Sequence, residues 1–533
     1  MLGSFFSLST SALTIESAGD ALGKTVRGNV AELALLKRSS REGQSLGMAV
    51  ACGEGFTSFV TEQGDVWACG KGDDGQLGLG SKAHQLLPVC VNGAGEGLDG
   101  KVDELFDGEA VVMVAAGSAH TACVTAKGTL WIWGDVGSGR LGHGDIARRQ
   151  RPHRLEKELY GGSPAVMVSC GFAHTLVLTA AGLLWSCGYG GNGQLGHDDT
   201  ANKLVMTLVG SEEFRGAHIV MVAAGRWHSI ALGEEGRVWT WGCGRKGRLG
   251  HNDQGNRLVP TLLCGDFGAV MVAAGGFHTV AVTSQGELWA WGTGEEGQLG
   301  LGDASNRLVP ALVGTEVAFG GSQVLTVSCG GAHTLAATRD GSLFSWGRGF
   351  HGTCGHNDSN NRLVPSRIDA QHFHNAKIVS ATAGYTHSAA VTEEGALYTW
   401  GEAWGLGHGD GARKSVPTHV APRLLQGARV GRCHGLPPMH ALAFAMGTHV
   451  RLGSSEPTAL SAGGSSKRRP QRQQGKAPAV ADQDKDCEYV TMPGELLQRV
   501  VEACVSWPEG QAGELEGVLR LLGGGMMKAR GSL

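Results

Sequence analysis

Ala115-Ala116-Gly117-Ser118-Ala119-His120-Thr121, followed by Leu130-Trp131-Ile132-Trp133-Gly134, decides the fold because the pair recurs down the chain. Related glycine-x-x-histidine phrases are anchored on Gly171, Gly225, Gly275, Gly330 and Gly384, and a degenerate copy on Gly53 has Phe56 where the histidine belongs. The anchors are spaced by 64, 54, 54, 50, 55 and 54 residues. A second glycine follows each by 17 residues, at Gly70, Gly134, Gly188, Gly242, Gly292, Gly347 and Gly401. Then comes a glycine-rich phrase such as Gly247-Arg248-Leu249-Gly250-His251-Asn252-Asp253. Seven copies with fixed internal offsets define a tandem repeat.

Each unit reads as a four-stranded meander. Val111 to Val114 is a continuous apolar run, which suits a strand buried on both faces. His120 to Thr125 is a second strand, Ala126-Lys127-Gly128 a hairpin turn, and Thr129 to Trp133 a third strand. Arg257 to Leu262 supplies the fourth, and its Pro260 fits an outer edge where a ladder N–H is dispensable. The spacing predicts an all-β, seven-bladed β-propeller of four-stranded blades.

Composition agrees. The 88 glycines among 533 residues are about 16 per cent, against a usual 7 per cent or so. Glycine in a helix interior costs about 1 kcal/mol relative to alanine, so a helical bundle is disfavoured. Only 15 prolines exclude collagen and proline-rich disorder. The net charge of −4 gives no global basic field for nucleic acid. No apolar run reaches 18 residues, which argues against a membrane-spanning helix. The first residues lack a basic stretch ahead of their apolar run, against a secretory signal, while their serines and threonines keep an organelle-transit reading open. The 13 cysteines, with no C-x-x-C, read as reduced thiols of an intracellular protein with no zinc site.

The glycine-x-x-histidine-threonine and tryptophan-glycine phrases over residues 43–453 resemble the regulator of chromosome condensation repeat. The resemblance implies a seven-bladed propeller, in agreement with the seven units. An eighth partial copy begins at Ala428, and residues 428–453 are expected to close the ring by pairing with the first blade. Residues 1–42 are weakly patterned. Residues 454–486 read as a disordered basic linker, with Lys467, Arg468, Arg469 and Arg472 as a candidate nuclear-import patch; the bland alternative is a solvated charge run. Residues 487–533 read as a short helical tail with two amphipathic stripes. The expected location is cytoplasm or nucleus.

Several motifs invite a chemical reading that the repeat removes. Four segments, starting at Gly70, Gly188, Gly242 and Gly292, match G-x-G-x-x-G, but a strand follows each instead of the helix that pyrophosphate binding needs. Histidines recur at two repeat positions: His120, His174, His228, His278, His333 and His387 at one, and His143, His197, His251, His356 and His408 at the other. They read as fold-making residues bonded to backbone within their own blade, with no metal, cofactor or catalytic group among them. Asp145, Asp199, Asp253, Asp303, Asp358 and Asp410 are expected to brace the loop before the fourth strand.

What varies between blades is therefore the place to seek function. Phe56, Phe172, Arg226, Trp227, Phe277 and Tyr385 fall in the first turns and form a candidate partner-binding face; the bland alternative is packing between blades. An insertion within residues 93–110 carries Asp99, Asp103, Glu104 and Asp107, a candidate acidic docking loop or a solvated one.

The expected function is a non-enzymatic, monomeric interaction scaffold with a protein partner and no membrane or sequence-specific nucleic-acid target. The resemblance suggests a small GTPase or chromatin protein as that partner. It also implies an alternative, guanine nucleotide exchange on a Ran-like GTPase, for which only Glu54 offers an acid within the first turns. A second alternative is the plant ultraviolet photoreceptor type, echoed by Arg226-Trp227 alone. The family's ubiquitin ligases carry a large catalytic domain that the tail is too short to hold.

Overall fold

Apolar inner strands, a turn glycine and, in six of the seven repeats, a proline on the fourth strand give each repeat its sheet. In a computed structural model, described for residues 49–431 apart from 93–104, 266–267, 315–317 and 426–428, seven four-stranded sheets form. Each is an antiparallel meander in chain order. In blade two the strands are Val111–Ala116, His120–Thr125, Leu130–Gly134 and Arg149–Leu155. The second and third are wholly buried, while the fourth alternates between exposed and buried. That fourth strand is the outer edge, and its Pro152, like Pro260 in blade four, sits where no further strand needs its N–H.

The core lies between neighbouring blades. Trp133, Trp239, Trp241, Trp291, Trp346 and Trp400, all from third strands, are fully buried. Five residues ahead of four of the first strands, at Phe106, Phe214, Phe319 and Phe373, a phenylalanine packs against the third-strand aromatic pair, as Phe214 does edge-on to Trp239 at 5.7 Å and Trp241 at 6.3 Å. Tyr160 and Leu425 hold the corresponding places before Ala165 and Val430.

Leu425 identifies how the ring closes. The first strand of blade one, Val50–Cys52, is only three residues long. The later segment Arg429–Gly431 continues its row: Val430 bridges Thr61 antiparallel, Glu62 N–H donates to the Arg429 carbonyl at 3.0 Å, and Gly431 N–H to Val60 at 2.9 Å. Val430 N–H also donates to Gly395, as Val111 N–H does to Gly64 one blade on. Part of the expected closing segment thus pairs with blade one; residues 432–453 lie outside the described residues, as do 1–42, the import patch and both expected tail helices. The ten described cysteines are free thiols, and burial holds Cys69, Cys170 and Cys354 up at about 12.

Candidate functional site: the turn face and its central mouth

In a meander, the turn between strands one and two and the loop between strands three and four emerge on the same side. The anchor glycine and its histidine shape the first of these. A Cβ on Gly117 would stand 2.3 Å from His120 Cε1, so only glycine lets the ring fold back over the chain. The second glycine has a different need: Gly134 holds φ +109, with the Ala119 carbonyl 2.5 Å from where a Cβ would be.

The folded-back histidines are latches between blades. His120, His174, His228, His278, His333 and His387 place Nε2 2.9–3.0 Å from a hydroxyl of the next blade, on Thr175, Ser229, Thr279, Thr334, Ser388 and Thr57 respectively. Each hydroxyl donates its one proton back to a glycine-loop carbonyl of the histidine's own blade, at 2.7–3.0 Å. The hydroxyl is therefore the acceptor for Nε2–H, and Nδ1 is the bare nitrogen. Burial holds His174, His278 and His333 near 3 and His387 near 4, so these rings are neutral. The expected backbone bonds within one blade are corrected here: the partner is a side chain across the seam. A carbonyl alone would tie the ring to its own sheet, whereas the hydroxyl joins two.

The outer histidines do stay within their blade. His197, His251, His356 and His408 meet the third-strand hydroxyls of Ser186, Thr240, Ser345 and Thr399 at 2.8–3.0 Å. Blade two has Ile132 there, and His143 turns to the Arg154 carbonyl at 3.3 Å. The loop aspartates brace as expected: Asp253 accepts Gly255 N–H at 2.9 Å and pairs with Arg257 at 2.5 Å, which holds its carboxyl below the usual range.

The variable residues converge on the central opening. Arg226, in blade four, reaches across to Tyr385 in blade seven, Nη1 donating to Oη at 2.6 Å. Its guanidinium carbon lies 4.6 Å from the Phe172 ring centre, 5.2 Å from Tyr385, 5.6 Å from Phe277 and 5.8 Å from Trp227. Trp227 in turn stacks obliquely on Phe172 at 4.9 Å and edge-on to Tyr189 at 5.5 Å. Beneath this cluster the axial channel opens into a cavity of 180 Å³ lined mainly by glycine and alanine, with Glu54 on its blade-one side. All five side chains around the mouth are partly exposed.

Phe56 does not join them. It is fully buried, its ring occupying the latch position of blade one, and is withdrawn from the candidate face. Its neighbour Thr121 keeps only the bond to the Gln76 carbonyl, at 2.8 Å. Of the acidic loop, Asp99, Asp103 and Glu104 lie outside the described residues, and Asp107 pairs with Arg154 at 2.9 Å beside the buried Phe106. Sequence reasoning missed Phe350 and Trp404, glycine-loop aromatics of the same face that are 49% and 41% exposed. Their signal was that the loop is elsewhere polar or glycine at these positions.

Known proteins share this architecture. The RCC1-like domain matches residues 96–449, and regulator of chromosome condensation repeats match 63–124 and 49–76. The ultraviolet-B receptor UVR8 of Arabidopsis thaliana is 35% identical over 63% of the chain, which spans 60% of that receptor. The mitochondrial RCC1 domain-containing protein RUG3 of the same plant is 32% identical over 69% of the chain and 67% of its own length. Prp20p of Saccharomyces cerevisiae, studied for its binding to Gsp1p and histones, superposes with a TM-score of 0.59 at 22% identity, covering 72% of this chain and 89% of Prp20p, which is a likeness of fold. With the repeat, the seven blades and the domain match in agreement, the chain belongs to the RCC1-like family.

Proposed function

We propose that this protein is a non-catalytic interaction module that binds a protein partner through the turn face of its propeller. The observation that carries this reading is the convergence of Phe172, Arg226, Trp227, Phe277 and Tyr385 on the central mouth, while the repeated histidines and aspartates are spent on the fold. Aromatic side chains beside an arginine are the composition of interface hot spots. Such a cluster, partly open to solvent, offers apolar area with one directional charge. A pull-down comparing wild type with Arg226→Ala/Trp227→Ala tests it: the double variant should lose specific partners, and recovery of the same partners by both proteins refutes the assignment.

Two family activities stand against this reading. Nucleotide exchange needs groups that displace phosphate and magnesium, and Glu54 is the one acid in these turns. Release of fluorescent GDP from a Ran-type GTPase would reveal it. Light sensing would rest on Trp227, the one tryptophan beside Arg226 among the described residues, the other rings being Phe172, Phe277 and Tyr385. The expected baseline is no oligomer change on irradiation, read by size-exclusion chromatography.

A further inference from the structure

Several charges on the turn face are paired. Asp135 holds Arg140 at 3.2 Å and Arg148 at 3.1 Å, and Arg148 also reaches Asp74 at 3.1 Å. Lys246 meets Glu295 at 2.6 Å. Arg248 occupies in blade four the place that Arg140 holds in blade two, directly after the loop glycine. The acid that should accompany it is missing, because the residue after the third-strand glycine is Asp135 in blade two but Cys243 in blade four.

Three guanidinium groups gather there. Arg248, 3% exposed, donates to the carbonyls of Gly276 at 3.3 Å and Arg245 at 3.1 Å. Its guanidinium lies 5.2 Å from the Phe277 ring, and that of Arg226 lies 5.6 Å from the same ring. Arg226 bonds Tyr385 Oη, and its buried Nε has no partner. Among the described residues, none of Arg226, Arg245 and Arg248 forms an ion pair. Burial, with the charges of Arg245 and Arg226 adding to it, pushes the Arg248 pKa down. Glu54 lines the far side of the mouth and pairs with none of them. Arg245 is exposed, but the buried Arg248 and half-buried Arg226 are cations without a counter-charge, which is unfavourable, and aromatic faces compensate only in part.

We infer that this sector, from blade three to blade five, receives an acidic segment of the partner protein, seating an aspartate or glutamate carboxylate on Arg226 with an adjacent apolar side chain against Phe172, Trp227 and Phe277. This rests on the interaction-face reading and gives the partner its chemistry. A carboxylate on the part-exposed guanidinium fork forms charge-assisted hydrogen bonds. The surrounding rings exclude water and strengthen the pair.

The test uses the full chain and a fluorescein-labelled pentapeptide of four glutamates around one phenylalanine, followed by anisotropy and by tryptophan emission. Saturable binding is expected, weakened by salt and reduced at least about tenfold by Arg226→Gln, with Arg226→Lys retaining most of it. Melting curves of the variants should overlay the wild type. Absence of binding, equal binding by Arg226→Gln, or preference for the matching lysine peptide overturns the proposal. So does self-association that the peptide displaces, which would give the sector to a second copy of the chain. A parallel pull-down with Trp227→Ala separates the two readings. Partners lost there without any glutamate-peptide binding leave the face intact and remove its acidic ligand; partners unchanged there remove the face itself.

Discussion

The histidine of each first turn and the two residues before it are neighbours in sequence yet obey opposite rules. The histidine points into the seam, is buried, and meets a hydroxyl at 2.9–3.0 Å in six seams. The preceding pair differs in every blade, from Gly331-Ala332 to Arg226-Trp227, and its first member lines the axial channel. A side chain that must serve every seam cannot also discriminate a partner, whereas a position that ties the seam through its backbone alone, as Arg226 and Tyr385 do, leaves its side chain free to. The seam between blades one and two sharpens the contrast. Phe56 fills the latch volume without the hydrogen bond, so shape is shared by all seven seams and the polar tie by six.

The largest expected effect breaks all the latches together. The buried histidines have folded pKa values below the ordinary 6.5, so the unfolded chain binds more protons once pH falls under that value. Their stabilisation is complete above pH 6.5 and is lost as pH falls towards 4 and 3. Each contributes up to about 1.4 kcal/mol per pH unit. The melting temperature should be flat from pH 7 to 8 and drop steeply between pH 6 and 4. A profile flat down to pH 4.5 would show that the latches are not neutral rings.

Ending the chain before Arg429 comes next. It removes three backbone bonds and the fully buried Val430, and uncovers the strand row of blade one. A loss on the order of 4 kcal/mol is expected in denaturant unfolding. His228→Ala should cost about 2–4 kcal/mol through the cavity and the lost bond to Thr279. His228→Phe imitates blade one and should cost less than the alanine variant; an equal cost would mean the polar tie outweighs the packing. The smallest effect on stability belongs to the face. Arg226→Gln should move the melting midpoint by no more than about 2 °C, since its contacts are with rings at a solvent-open mouth. Partner binding is what it should abolish.

The fold was legible because repetition multiplies a weak local signal. The strands His120–Thr125 and Arg257–Leu262 run between the boundaries read from sequence. The partner of the latch histidine was not legible: the hydroxyl of Thr175 is 55 residues from His120, and only the ring geometry brings them together. Phe56 misled for the same reason, since its place in the repeat marks it as a latch residue and its aromatic character suggests a face residue. Arg226 and Trp227 stood out in sequence as departures from the pattern. That Arg226 spans the opening to Tyr385, 159 residues away, follows from the narrowness of the channel, which no spacing reveals. The paired loss of Asp135 at Cys243 was visible in aligned repeats but acquires meaning only once Arg248 is seen to be buried.

The short first strand of blade one has a consequence for the order of the chain. Val60 receives both flanking segments: its N–H donates to the Ala49 carbonyl at 2.7 Å, and its own carbonyl accepts from Gly431 at 2.9 Å. The two pieces of that strand are consecutive in space though 382 positions apart in sequence. A polypeptide in which residue 431 runs on into residue 49 through a short linker would make blade one like the other six. The break could then move to any connection between blades. The ring is, in that sense, a cyclic permutation waiting to be cut, with topology indifferent to where translation starts.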